Sequence, residues 1–112
     1  MKRIEYKEIK DICIIKPSGE MIFFFLEELS KYIKNKIKSN QFRFIFDLTN
    51  VTWIDSIGLG LIALAVKSAL LHQTKVCLIK PRENIVQLLK MSNLLELVKV
   101  FETTDEAMEF LS

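Results

Sequence analysis

Asp55 and Ser56 stand side by side at the end of the segment Asp47-Leu48-Thr49-Asn50-Val51-Thr52-Trp53-Ile54, just ahead of a long apolar stretch. An Asp or Ser at a helix start accepts hydrogen bonds from the free N–H groups there, and capping alone accounts for both residues. A serine in that place is also a hydroxyl at the positive end of a helix dipole, where a phosphate group is well tolerated. To act as a nucleophile it would need a neighbouring base, and nothing in the sequence is positioned to serve. An enzyme built on Asp47, Asp55 and Ser56 therefore ranks last, and no catalytic residue is assigned.

Gly58 and Gly60 follow within the first turns of the same predicted helix. Each costs about 1 kcal/mol there relative to alanine. A cost of that size points to close approach, either by a neighbouring backbone or by a partner's surface. Ile57, Leu59, Leu61 and Ile62 also make this helix start apolar on several sides. Such a start is either deeply buried or a contact surface.

Other chemistry finds less support. His72 is the single histidine and stands at a predicted helix C-terminus, where a positive charge is welcome. Cys13 and Cys77 each lie in an apolar run, without CxxC spacing or a Cys/His cluster. They read as buried, reduced thiols, and no metal site follows. A lone pair of carboxylates, Asp47 and Asp55, is poor evidence for a bound ion. No glycine-rich phosphate-binding motif occurs, so no nucleotide or other cofactor is expected. Trp53 reads as a core anchor.

The elements that must hold these residues follow from periodicity. Ile4 to Ile9 alternates apolar and polar residues as an edge strand does, and Lys10-Asp11 is the turn into the apolar run Ile12 to Ile15. Pro17-Ser18-Gly19 breaks the chain. Leu26, Leu29, Ile33 and Ile37 recur at helical spacing up to Ser39-Asn40. Phe42, Phe44, Phe46 and Leu48 give a strand with one buried face. Ser56 to His72 reads as a helix, Val76 to Ile79 as a short buried strand, and Pro81 opens a helix carrying Ile85, Leu88 and Leu89. That helix closes at Ser92-Asn93, with Asn as the left-handed cap. Leu97 to Phe101 adds a short strand, and Thr103 to Glu106 has capping-box spacing before a last helix. The order ββαβαβα(β)α implies an α/β fold, a mixed sheet with parallel pairs and helices packed on it. Sites in such folds lie in loops beyond the carboxyl ends of the strands.

Bulk properties narrow the setting. A chain of 112 residues fits one domain, 1–112, with no Pro/Gly/Ser-rich linker to divide it. The net charge of +2 is too small to argue for direct nucleic-acid binding, and the lysines between Lys31 and Lys38 recur around a helix as a solvated face does. The charged N-terminus lacks the apolar core of a signal peptide, and the apolar run Ile57 to Val66 is too short to span a bilayer. A cytoplasmic protein without membrane insertion is the expectation.

Asp55-Ser56-Ile57-Gly58-Leu59-Gly60 resembles the D-S-x-G-L-G signature of the STAS domain, as found in bacterial anti-sigma factor antagonists. Ile14 to Glu20 is similar to that family's second strand and its Gly-Glu corner. Phe44-Ile45-Phe46-Asp47-Leu48 is similar to its third strand, and Phe101 to Ala107 to its final strand-to-helix junction. The resemblance implies that Ser56 is the phosphorylation site. The unmodified form would bind an anti-sigma factor that is also a serine protein kinase, the phosphorylated form would release it, and a phosphatase would reset the switch. It implies a binding module rather than an enzyme, with Asp47, Asp55, Ile57, Gly58, Leu59 and Gly60 at the partner surface.

The corner departs from the pattern, because Ile22 stands where that family usually carries an Asp. The run Met21 to Leu26 is unusually apolar for a helix start. Either the helix begins only at Phe25 and the aromatics tuck under the loop, or Phe23 and Phe24 form an exposed patch for a partner or a second copy in a homodimer. The second alternative also suits a STAS assembly subunit, for instance in a membrane lipid-transport complex, with no phosphorylation switch.

Overall fold

The computed structural model describes residues 3–112. Alternating charge and apolarity along Ile4–Ile9 (β1) let this strand sit at a sheet edge, where it pairs antiparallel with Ile12–Pro17 (β2). The connecting turn places both Lys10 and Asp11 at positive φ, as the tight primed hairpin turns require. Arg43–Asp47 (β4), Val76–Ile79 (β6) and Val98–Phe101 (β7) then add in parallel, giving the order β1-β2-β4-β6-β7. The α/β expectation, a mixed sheet with helices packed on it, is what the chain forms.

Both faces of the sheet are covered. Phe44 and Phe46 of β4 point to the face under Glu27–Lys38 (α1), Ser56–Leu71 (α2) and Glu83–Met91 (α3). Ile45 points to the other face, where Ala107 and Leu111 of Thr104–Leu111 (α4) cover it together with Ile14, Cys77 and Ile79. The period-two reading of this strand therefore found one buried face and missed the second. Phe42 lies outside β4 and stacks on His72, with ring centroids 3.5 Å apart.

The main differences from the expected element order are two short strands. Gly19–Met21 (β3) and Val51–Ile54 (β5) pair in parallel as a separate two-stranded ribbon. Gly19 enters it at φ +78, a conformation that glycine adopts without strain. Phe23–Phe25 form a single 3-10 turn rather than the first turn of α1, which starts at Glu27 with Leu26 as its uncapped entry residue. Likewise α3 starts at Glu83, two residues beyond Pro81. The chain ends of the helices follow the expected chemistry: Asn40 and Asn93 both take positive φ, and Thr103 with Glu106 closes a capping box. Among the described residues no helix is long and apolar enough to cross a membrane.

Candidate functional site

The β3–β5 ribbon delivers Asp55 and Ser56 to the start of α2. Asp55 is the N-cap: its backbone is extended, and its Oδ1 accepts the N–H of Gly58 at 2.9 Å. Its Oδ2 accepts a second bond, from the N–H of Phe23 at 2.9 Å. Its own N–H donates to the carbonyl of Met21 at 3.2 Å. One residue thus ties the helix start to the end of β3 and to the turn that follows. The donors, Gly58 first, hold the Asp55 carboxyl below the ordinary aspartate range, against a smaller desolvation effect, so it is ionised at neutral pH.

Since Asp55 supplies the cap, Ser56 does not. Ser56 is the first residue of α2, exposed, and its hydroxyl makes no hydrogen bond to other described residues. The capping explanation that sufficed for both residues in the sequence accounts only for Asp55.

The glycines separate in the same way. A Cβ at Gly58 would lie 2.5 Å from the Met21 carbonyl oxygen and 2.8 Å from Ile54 Cγ2. Of the two close approaches open from the sequence, backbone or partner, Gly58 makes the first. Gly58 is buried against this chain's own ribbon. A Cβ at Gly60 would meet nothing within 4 Å. Gly60 faces open space, as a residue available to a partner must.

The remaining positions sort by exposure. Ile57 is 46% exposed, Leu59 packs partly on the core, and Leu61 and Ile62 are buried. Trp53 is not the core anchor expected, since it lies 43% exposed on β5. Phe23 and Phe24 are 65% and 84% exposed, so the aromatics do not tuck under the loop. Asp47 lies elsewhere. Its carboxylate accepts from the Thr49 N–H and hydroxyl, closing the turn after β4, and it lines a groove with Lys16 and Asp105 on the α4 face. The structure brings together Phe23, Asp55, Ser56, Ile57, Leu59 and Gly60, and leaves Asp47 out. Sequence reasoning missed the tie from Phe23 to Asp55. The β-branched and aromatic run Val51-Thr52-Trp53-Ile54 was the available signal for the strand that creates it.

A family model for the STAS domain matches residues 3–107. The chain belongs to the STAS family. A candidate anti-sigma factor antagonist of Thermotoga maritima is 30% identical to it over 105 residues, spanning 93% of each chain. A homologous Thermotoga neapolitana protein is 28% identical over the same share of both chains. The crystal structure of a candidate anti-sigma factor antagonist of T. maritima superposes with a TM-score of 0.85 at 28% identity, covering 96% of this chain and 93% of that one. The phosphorylated form of the Bacillus cell-fate determinant SpoIIAA shares the fold, with a TM-score of 0.79 at 18% identity over 95% of this chain and 96% of that one.

Within this STAS domain the signature residues have distinct tasks. Asp55 and Gly58 build the helix start, whereas Ser56, Ile57 and Gly60 lie on its outside. The thiols stay apart from the site. Cys13 and Cys77 are fully buried, facing opposite sides of the sheet.

Proposed function

We propose that this STAS domain is a phospho-regulated anti-sigma factor antagonist, with Ser56 as its switch. Unmodified, it binds an anti-sigma factor that is also a serine protein kinase, through Ser56, Ile57, Leu59 and Gly60 with the ionised Asp55 beside them. Phosphorylation of Ser56 ends the complex, and a phosphatase restores it. The chain is a substrate and a binding module and needs no catalytic residue of its own. A cytoplasmic site of action follows from such a partner.

The observation that carries this reading is the division of labour between Asp55 and Ser56. The cap is complete without the Ser56 hydroxyl, which is exposed and free of internal hydrogen bonds among the described residues. A kinase can reach it, and a phosphate there adds about −1.5 to −2 charges without removing any contact of the fold. The α2 dipole offsets part of that charge within the chain. Against a partner's surface the same charge must be desolvated or repelled. A change of about 1.4 kcal/mol in the complex is already tenfold in affinity.

Intact-mass and peptide-mapping measurements on wild type and Ser56→Ala, each incubated with ATP and host lysate, test this reading. One added phosphate, mapped to Ser56 and absent from the variant, supports the switch. No phosphate, under conditions that label a known host phosphoprotein, contradicts it. The exposure of Phe23 and Phe24 favours a second reading, a constitutive assembly subunit such as that of a membrane lipid-transport complex. That reading predicts binding indifferent to Ser56.

A further inference from the structure

Strand β1 is an open edge of the main sheet, paired with β2 on one side alone among the described residues. Its outward bonding groups follow from the hairpin. The Lys10-Asp11 turn closes on the pair Ile9–Ile12, and farther along the Ser18 N–H bonds the Arg3 carbonyl at 2.7 Å. Arg3, Glu5, Lys7 and Ile9 therefore turn their backbone groups toward β2, and Ile4, Tyr6 and Glu8 turn theirs outward. Among the described residues nothing bonds those outward groups.

The side chains sort by face. Ile4 joins the core under α1, Tyr6 packs on Tyr32 of α1, and Glu8 is held by Lys36 of α1 and by Gln41. Glu5 and Lys7 point the other way, to the α4 side, in register with Lys16 and Ile14 of β2. Both are exposed, beside a groove that α4 leaves open and that Asp47 and Asp105 also line. Neither makes an ion pair among the described residues. The strand thus carries one unpaired acid and one unpaired base on one face, flanking Tyr6.

We infer that β1 pairs antiparallel with β1 of a second copy of this chain, about a two-fold axis at Tyr6, joining the two sheets into one. Tyr6 exchanges both backbone bonds with Tyr6 of the second copy, and Ile4 does so with Glu8. Between these pairs Glu5 faces Lys7 of the second copy, and Lys7 faces its Glu5. These are non-hydrogen-bonded positions, where opposed side chains come closest. A slip of two residues, the smallest that keeps each face on its own side, sets Glu5 against Glu5 or Lys7 against Lys7. Charges on an edge strand ordinarily discourage pairing. Here they discourage the neighbouring registers and match this one, so the contact closes as a dimer. The inference does not depend on Ser56.

Sedimentation velocity over a wide concentration range tests this on wild type, Glu5→Lys, Lys7→Glu and an equal mixture of the two variants. Thermal melts establish that each variant is folded, and Lys7→Glu, whose β2 neighbour is the uncharged Ile14, is the gentler change. Wild type is expected to dimerise, with an affinity that falls as salt rises. Each variant alone sets like charges opposite one another and should dimerise roughly tenfold more weakly. The mixture restores opposite charges at both positions and should dimerise at least as well as wild type. That rescue would not follow from damage to the fold. A wild type that stays monomeric up to millimolar concentration would overturn the inference. So would a dimer that both variants leave intact, and its loss in Phe24→Ser would place the contact at the aromatic turn instead.

Discussion

The carboxylate of Asp55 accepts the backbone N–H of Phe23 at 2.9 Å, across 32 positions of sequence. The same carboxylate caps α2 through Gly58. One side chain is thus the joint between the β3–β5 ribbon, the aromatic turn and α2.

Removing that joint should cost stability in a pH-dependent way. Asp55→Ala is expected to lose about 1–2 kcal/mol in urea unfolding at pH 7, the usual penalty for an N-cap. Asp55→Asn, which keeps only one acceptor oxygen, should fall between. The folded-state pKa of Asp55 lies below its ordinary value of 3.8. Its stabilising contribution is therefore complete above that value and is lost as pH falls below 3.8 through the lower folded value. The gap between wild type and Asp55→Ala should narrow over that acid range, and a gap constant down to pH ~2 would show that ionisation plays no part.

Alanine at the two signature glycines should have opposite effects. At Gly60, with nothing near its missing Cβ, alanine gains helix propensity and should stabilise by about 0.5–1 kcal/mol. At Gly58 that gain is outweighed by contact with the Met21 carbonyl and Ile54, and a net loss of about 1–3 kcal/mol is expected. Denaturant midpoints of the two variants decide the matter. Effects of the same sign would mean that the helix start does not sit on the ribbon as described.

Ser56→Ala should unfold within about 0.5 kcal/mol of wild type, since the side chain is exposed and the cap is elsewhere. A loss above 1 kcal/mol, about what removal of a true cap costs, would return Ser56 to a structural role.

The thiols should be inert in the folded protein. Burial pushes the Cys77 thiol up to about 11 and raises that of Cys13 as well. Neither should react with a disulfide reagent at pH ~8 until denaturant is added, because the thiolate is the reactive form. Rapid labelling of one thiol in the native state would contradict the packing around it.

Much of this was legible in the sequence, and the gaps have physical causes. The five strands of the main sheet and the four helices carry strong local signals: the Ile4–Ile9 alternation, the helical recurrence of Leu29 and Ile33, the apolar run at Val76–Ile79. The ribbon does not. Gly19–Met21 and Val51–Ile54 are three and four residues long and become strands only by pairing across a wide sequence gap, which no local period reveals. Trp53 was misplaced for the same reason, because the face it turns outward exists only once that ribbon forms. The glycine cost at Gly58 was readable, but whether backbone or partner caused it depended on where Met21 lay. Whether Phe23 and Phe24 tuck under the loop or stand exposed was equally open, since the turn that carries them is tied to Asp55 across 32 positions of sequence.

If Ser56 is the switch, its chemical state decides whether the partner binds. The most direct measurement is the affinity of one anti-sigma serine kinase for the unmodified chain and for the chain carrying phosphoserine at position 56, under identical salt and pH. The expected result is a tight complex with the first and affinity lower by roughly a hundredfold or more with the second, equivalent to about 2.7 kcal/mol. Equal affinities would contradict it and leave a binding module whose exposed serine is not its switch.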